Sequence, residues 1–552
     1  MSHLTSSLGT YQSNIEAALS RMATDHVASR IWSHDYTVWA DSPTEITNRL
    51  GWLDCPTNMA PQAAELTAFA DEIRAEGFTH VLLLGMGGSS LAPEVFSRIF
   101  AGQTTLTLSI LDSTHPAYVL ETTHALDPAR TLYVTSTKSG GTVETLSFFK
   151  HFFNDAIEKL GLEKARQHFI AITDPGSGLE TLMREHQIRR IFLNDPNIGG
   201  RYSALSHFGL VPAALVGVDV AQLVARAHAM AEACRPDTNN PGLLLGAILA
   251  ELAKAGRDKV TFLTSPTLES FGDWVEQLVA ESTGKLGKGI LPVVGETLAD
   301  VSEYGQDRLF VSLTLAGEPA PDLTALQQAG HPTLAYTLAD RYDLGAQYFL
   351  WEFATAVAGH LMDIQPFDQP NVESAKILAR KMMAEYKTTG QLPAGDTAPL
   401  TGDALRAFLS QAQAGDYLSV QAYVHPTREA ADALQTLRHL LRARTGLATT
   451  LGFGPRFLHS TGQLHKGDAG NGLFIQFTSD SLENVAIPND VLSSSEPGKP
   501  DSSLTFGTLV RAQALGDYEA LLTATPPRRA IHFHLGTEVV GELEKLISNL
   551  QE

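Results

Sequence analysis

From about residue 61 the chain alternates two kinds of stretch: short runs rich in Val, Ile, Leu and Phe, and longer ones in which apolar residues recur every three or four positions. The first kind reads as buried strand and the second as amphipathic helix. The pattern predicts helices over 61–77, 91–100, 116–126 and 143–160, interleaved with strands over 79–84, 106–111, 131–135 and 168–173. Helical segments from about 204 to 256 lead to a second series, with strands at 259–264, 290–294, 309–315 and 333–338 and a long helix at 344–362. After a stretch at 388–402 rich in Gly, Pro, Thr and Asp, the alternation resumes with strand 417–424, a helix to about 444, and strands 473–477 and 530–534. Strands separated by helices imply parallel crossovers, and such sheets take ligands at the carboxyl ends of their strands. The predicted fold class is therefore α/β, with two doubly wound parallel-sheet domains and an α/β C-terminal extension. The expected division is a helical N-terminal segment (1–60), domains over 61–225 and 226–387, and the extension over 403–552. In the first segment a helix is predicted over 10–30 and a short one near Pro43, Thr44 and Glu45. The stretch 480–503, rich in Ser, Pro and Asp, reads as a long mobile loop.

A length of 552 residues suits two to four domains. The net charge of −21 argues against nucleic acid and acidic membrane surfaces as partners, without excluding a small anion at a locally positive site. The two cysteines, Cys55 and Cys234, form no CxxC pattern, which fits a reducing cytoplasm. Residues 1–22 have polar residues throughout and no continuous apolar stretch of signal-peptide type, and no run of roughly 18 uncharged apolar residues appears elsewhere. A cytoplasmic protein is expected.

The candidate chemistry sits at the strand ends. Gln369 and Lys376, in IQPFDQPNVESAK (364–376), are seven residues apart, about two helical turns, where a strand-like run gives way to a helix. A helix start is a natural anion site. Gly85-Met86-Gly87-Gly88-Ser89-Ser90 follows one strand and opens a helix, so its glycines allow close backbone approach to a ligand. Alone it is also an ordinary tight connection, and its spacing is not the GxGxxG of dinucleotide turns. Ser136-Thr137-Lys138-Ser139-Gly140-Gly141-Thr142 repeats the placement with four hydroxyls and one ammonium, a density that suits the three oxygens of a phosphate monoester. It lacks the ending of a Walker A loop. Gly199-Gly200-Arg201 puts a fixed cation after flexible backbone, although an isolated Arg is commonly a surface ion-pair partner. Glu281 ends a predicted helix before a glycine turn, where it reads as a general base or as a solvated helix-end charge. His532 and His534 alternate on one strand face, but with no carboxylate cluster at ligand spacing a structural role is the better reading, and no metal is expected. His331, before Pro332, reads as a turn residue. His459 and His465 lie in an unusually polar turn, LHSTGQLHKG (458–467), which marks them above the other histidines.

Taken together these segments carry a family pattern. The stretch from about 60 to 380 resembles phosphoglucose isomerase, which is built from two sugar-isomerase (SIS) domains; GGRYSALSHFG (199–209) and PFDQPNVESAK (366–376) carry the likeness. It is most similar to the isomerase half of bifunctional transaldolase/phosphoglucose isomerases, including NRLGWL (48–53), although there is no room upstream for a transaldolase barrel. The resemblance implies no cofactor, a phosphosugar substrate and a possible homodimer. It also implies a phosphate cradle at Thr137, Ser139 and Thr142, with Lys138 and the Gly87-Gly88-Ser89 turn beside it, and Gln277 and Gln369 holding the sugar phosphate. Glu281 would be the base, Arg201 would stabilise an enediolate, and Lys376 would assist at the ring oxygen. The family's catalytic His stands beside a Gly-Gln pair between the base and the FDQ segment, but here that interval reads Tyr304-Gly305-Gln306-Asp307-Arg308. The LHSxGQ of 458–463 is similar to the missing element, so His459 is expected to fold back into the site.

The implied activity is interconversion of glucose 6-phosphate and fructose 6-phosphate. Two alternatives stay open: an isomerase of broader range that also accepts mannose 6-phosphate or acts on another phosphosugar, and a non-catalytic sugar-phosphate sensor that keeps the fold. Joint presence of Glu281, Arg201 and Lys376 argues against the sensor.

Overall fold

A computed structural model describes residues 3–492 and 501–551. Its first sheet has the strand order β3-β2-β4-β5-β6, all parallel, from β2 (His80–Gly85), β3 (Thr107–Leu111), β4 (Thr131–Ser136), β5 (Phe169–Thr173) and β6 (Arg190–Leu193). Strands β4 and β5 are buried along their whole length, as crossover helices on both faces require. The second sheet runs β1-β10-β9-β7-β8, from β1 (His3–Ser7), β7 (Lys259–Thr264), β8 (Leu291–Val293), β9 (Arg308–Leu315) and β10 (Thr333–Leu338). All its pairings are parallel except β1 with β10. The third sheet, β12-β11-β13-β16, is parallel and comprises β11 (Tyr417–Tyr423), β12 (Ala448–Phe453), β13 (Gly472–Thr478) and β16 (Arg529–His534).

The helix Asp343–Leu361 is apolar around its circumference and is buried from Asp343 to Gly359, the position of a central helix rather than a surface one. It packs against Val220–Ala233 and Pro241–Lys254. Around the third sheet a separate core forms with the helices Arg428–Thr445 and Val539–Gln551. The C-terminal part is nevertheless knit into the rest. Phe506, Leu509, Ala512 and Leu515 of the helix Phe506–Thr523 share a core with Phe148 and Phe149 of the helix Val143–Leu160 and with Met382 and Met383 of Glu373–Thr389. At Gly516 a Cβ would stand 2.8 Å from the Ala379 nitrogen and 3.0 Å from the Ala375 oxygen, so the two helices meet backbone to backbone only because that residue is glycine.

Several expectations are revised. The N-terminal segment is not wholly helical: β1 adds an antiparallel edge strand, and 43–45 is a turn with Glu45 at positive φ. Residues 363–372 form turns rather than a strand, so Gln369 precedes its helix and Lys376 lies on its first turn. The loop expected over 480–503 is partly tied down, because β14 (Ala486–Ile487) pairs with β15 (Leu504–Thr505) and the Lys150 ammonium donates to the Asn489 carbonyl at 2.6 Å. Its residues 493–500 lie outside the described ones.

Candidate active site

The Gly/Ser turn after β2 and the turn carrying Arg201 lie directly on each other. A Cβ on Gly88 would stand 2.0 Å from the Gly200 carbonyl oxygen. Gly87 has φ +52°, and a Cβ there would be 2.7 Å from the His459 carbonyl oxygen and 3.0 Å from the Gln277 amide nitrogen. These two glycines let three distant segments of chain meet, and Ser89 is buried in the same turn. The placement reassigns the pair: Gly87 and Gly88 shape the site from behind, against protein backbone.

Arg201, buried, is the centre of that meeting. Its Nε donates to the Ser282 hydroxyl at 2.8 Å, Nη1 to the Gln369 side-chain oxygen at 3.0 Å, and Nη2 to the carbonyls of Pro366 at 2.6 Å and Asp368 at 3.0 Å. Nη1 is also 3.3 Å from Glu281 Oε1. Glu281 lies in the last turn of the helix Phe271–Thr283, and Gln277, one turn earlier, donates to Glu281 Oε2 at 3.0 Å and to the His459 carbonyl at 2.7 Å. The Gln277 amide thus joins the carboxylate to the histidine segment, while its Oε1 is buried with no hydrogen-bond partner among the described residues.

His459 ends the short 3-10 turn Arg456–His459. That turn is seated by Arg456, which donates to Asp112 at 2.9 Å and to Glu94. The His459 Nε2 is 3.0 Å from Oε1 of Glu144, a residue of the first turn of the helix Val143–Leu160. A carboxylate accepts only, so Nε2 carries the proton and Nδ1 is the nitrogen left for proton transfer. Burial pushes Glu144 upward, but its contact with His459, including the hydrogen bond from that ring, and the charge of Lys376 outweigh it and leave the carboxyl below its usual range. The sequence offered no sign of Glu144; a carboxylate just after a hydroxyl-rich turn looks like ordinary helix N-terminal charge.

Glu144 and His459 border a cleft of about 390 Å³ that Ser139, Thr142, Lys376 and Arg380 also line, while Arg201, Gln277 and Glu281 lie outside its lining. Lys376 is 35% exposed at its side chain and 4.0 Å from Glu373. A larger recess, about 810 Å³, opens beyond the Arg456 turn, but Glu94, Asp112, Asp273 and Glu276 wall it. Burial pushes Asp273 up to about 6 and Glu276 up to about 8, the mark of carboxylates crowded out of water. Its two arginines, Arg98 and Arg456, are both paired with Glu94, whereas the smaller cleft offers the hydroxyls of Ser139 and Thr142 and the Lys376 ammonium, and is the one better suited to a phosphate.

In the hydroxyl-rich turn, Thr142 is the N-cap of its helix, yet its side chain makes no cap and its hydroxyl lies 2.8 Å from that of Thr137. Gly141, Thr142 and Val143 line the cleft, so an 18-residue helix points its N-terminus there. Lys138 faces elsewhere: its ammonium is held by Asp174 and by the Pro196 carbonyl at 2.8 Å, which takes its charge out of the cradle. Replacing both Ser139 and Thr142 by Ala removes two donors to a dianion, each bond to a charged group being worth roughly 1.5–3 kcal/mol. The KM for a phosphosugar should rise by more than kcat falls, and inorganic phosphate should inhibit less. Unchanged phosphate inhibition would place the cradle elsewhere.

Lys285, which the sequence did not single out, holds the FDQ loop from beneath. Its ammonium donates to the Gln365 carbonyl at 2.7 Å and to the Asp368 carboxylate at 2.6 Å. Burial first, and Arg201 second, lower its pKa to about 7 against the pull of Asp368. Between pH 7 and the ordinary lysine range the unfolded chain therefore binds a proton that the native chain has given up. Stability rises with pH across that window and the contribution is lost below it. Urea unfolding at pH 7 and pH 9 should show wild type gaining about 2 kcal/mol relative to Lys285→Met. A difference that is flat with pH would mean the lysine stays charged.

A parallel α/β pair of sheets with a hydroxyl-rich anion turn, facing a cleft that also holds an imidazole and an ammonium, defines a class: the sugar-isomerase (SIS) fold. Comparison with known proteins then narrows it. The family profile for phosphoglucose isomerase matches residues 56–290. A glucose-6-phosphate isomerase of Carboxydothermus hydrogenoformans is 29% identical over 389 residues, covering 59% of this chain and 83% of the relative. One of Thermus thermophilus is 28% identical over 389 residues, covering 61% and 90%. Among solved structures, a hypothetical protein of Thermus thermophilus superposes with a TM-score of 0.61 at 25% identity, covering 69% of this chain and all of the other. A glucose-6-phosphate isomerase from Chlamydia trachomatis gives 0.53 at 18% identity, over 72% and 89%, a likeness of fold. Over residues 56–290 the chain is similar to the phosphoglucose isomerase family. The matched range takes in Arg201 and Glu281 and ends before Gln369, Lys376 and His459.

Proposed function

We propose that the protein is a glucose-6-phosphate isomerase that interconverts glucose 6-phosphate and fructose 6-phosphate through a cis-enediolate, with every working group drawn from one chain. The observation that carries this reading is the contact of Glu281 with the buried Arg201, tied through Gln277 to the segment that bears His459. The phosphate sits at Ser139, Thr142 and the helix start behind them, where it orients the sugar without reacting. His459, through Nδ1, and Lys376, on the cleft wall, move the proton that opens the ring. Glu281 then takes the C2 proton and returns it at C1. Negative charge developing on the sugar oxygens meets the Arg201 guanidinium, which its other bonds have already oriented. One carboxylate shuttling one proton between adjacent carbons leaves the substrate's oxidation state unchanged overall. Formation of glucose 6-phosphate from fructose 6-phosphate by purified protein, read with a coupled dehydrogenase, tests the reading; no turnover above background would end it.

The histidine has its own test. His459→Asn should depress turnover of cyclic substrate by roughly 10²-fold, while exchange of the C2 proton on an open-chain analogue stays comparatively intact. His465→Ala should behave differently, because His465 is buried beside Gln421 in the third domain's core, away from the cleft. It should cost stability rather than catalysis. Equal small losses at both positions would remove His459 from ring opening.

A further inference from the structure

The helix Phe506–Thr523 belongs to the C-terminal part of the chain, yet one of its polar residues reaches the cleft. Gln513 is buried, and its Nε2 donates to Glu144 Oε1 at 2.7 Å, the same oxygen that meets His459 Nε2 at 3.0 Å. On its other side the Gln513 oxygen accepts from the Thr114 hydroxyl at 2.7 Å, and Thr114 is fully buried at the end of the segment that follows β3. The direction of this chain of bonds is forced by chemistry. An ionised carboxylate can only accept, so the amide nitrogen must face Glu144, the amide oxygen must face Thr114, and Thr114 must donate. Other groups cannot replace this control. Lys376 and the buried Tyr423 face Glu144, and Asp112 faces His459; among the described residues, none of the three makes a hydrogen bond to this pair that would set its orientation.

We propose that Gln513 is a positioning residue for the Glu144–His459 pair, and that Thr114 locks it. This rests on the functional reading above and deepens it. The last torsion of a glutamate is broad, so a carboxylate held by one partner can turn about it. With Gln513 donating to Oε1, the carboxylate plane is set, and with it the imidazole nitrogen that is captured. His459 is thereby kept in its Nε2–H form, with Nδ1 presented to the sugar. The third sheet and its helices thus do more than deliver the histidine. They also deliver the residue that holds the histidine's partner still, from a helix whose close seating depends on Gly516.

The test uses the full-length protein with nitrogen-15-labelled histidine. In wild type, long-range proton–nitrogen correlation should show His459 in the Nε2–H form alone. In Gln513→Leu it should show a mixture of both neutral forms, with turnover of cyclic substrate down roughly 10-fold. KM, and proton exchange on an open-chain analogue, should stay within about 2-fold. Gln513→Glu supplies the conservative rescue. A protonated carboxyl at 513 can still donate to Glu144, whereas an ionised one repels it. This variant should therefore approach wild-type turnover at acidic pH and lose it as pH rises, a dependence no loss of packing would produce. Thr114→Val, which leaves the amide free to turn, should fall between wild type and Gln513→Leu.

A single Nε2–H form in Gln513→Leu with wild-type turnover overturns the proposal. So does a loss equal on cyclic and open-chain substrates that tracks a lowered unfolding midpoint. The two levels separate cleanly: wild-type protein that does not isomerise fructose 6-phosphate defeats the functional reading, and the tautomer measurement still decides what Gln513 does.

Discussion

Glu281→Gln should lower kcat by at least about 10²-fold while leaving KM for glucose 6-phosphate within a few-fold of wild type. The substitution keeps side-chain length but leaves one acceptor oxygen where Glu281 uses two, Oε2 for the Gln277 amide at 3.0 Å and Oε1 for Arg201 at 3.3 Å. It removes the basicity needed to take the C2 proton, at the cost of one of those two bonds. Hydrogen exchange at C2 in deuterated water is the sharper measurement, because it reports proton abstraction without depending on product release. Near-normal exchange in this variant would take the carboxylate out of the mechanism and leave it a structural counter-ion to Arg201.

Arg201→Lys is the second large effect, and it works by a different route. Charge is kept, but an ammonium cannot reproduce a planar fork that bonds Ser282, Gln369 and two carbonyls of the FDQ loop at once. Some of those buried acceptors lose their donor, and a broken buried network of this kind costs roughly 3–5 kcal/mol. The unfolding midpoint in urea should fall, and turnover should drop by about 10²–10³-fold. Inhibition by inorganic phosphate should persist, because the cradle at Ser139 and Thr142 does not touch Arg201. Turnover close to wild type would mean that the charge alone suffices and that the guanidinium geometry is incidental.

Most of the α/β alternation was legible from local pattern. The helix Val143–Leu160 and the strands β7 and β10 fall where periodicity puts them, because strand burial on both faces leaves a continuous apolar run and helix burial leaves a stripe. The short edge strands were harder. β6 opens with an arginine and β12 ends in Gly-Phe, so neither makes a clear run, and each exists because a neighbouring strand pairs with it. β1 is a further case: His3–Ser7 has no strand signal that distinguishes it from a polar terminus, and the edge of β10 decides it.

The chemistry divides in the same way. The sequence by itself determined the parts that work through local backbone: a hydroxyl-rich turn opening a helix, a glycine pair before an arginine, a glutamate in the last turn of a helix, and an LHSxGQ turn in the C-terminal part. Each depends on residues within a few positions of one another, and that is what spacing records. Tertiary structure alone decided which of these meet and what they do when they meet. It turned Lys138 away toward Asp174, used Gly87 and Gly88 to admit the backbones of His459 and Gly200, and set Glu144 against a histidine 315 residues later. It also brought Gln513 to that glutamate from 369 residues away. The reason is physical. A side chain's role follows from its partner's charge and distance and from how much water is excluded around them, and none of the three is a property of the chain's order.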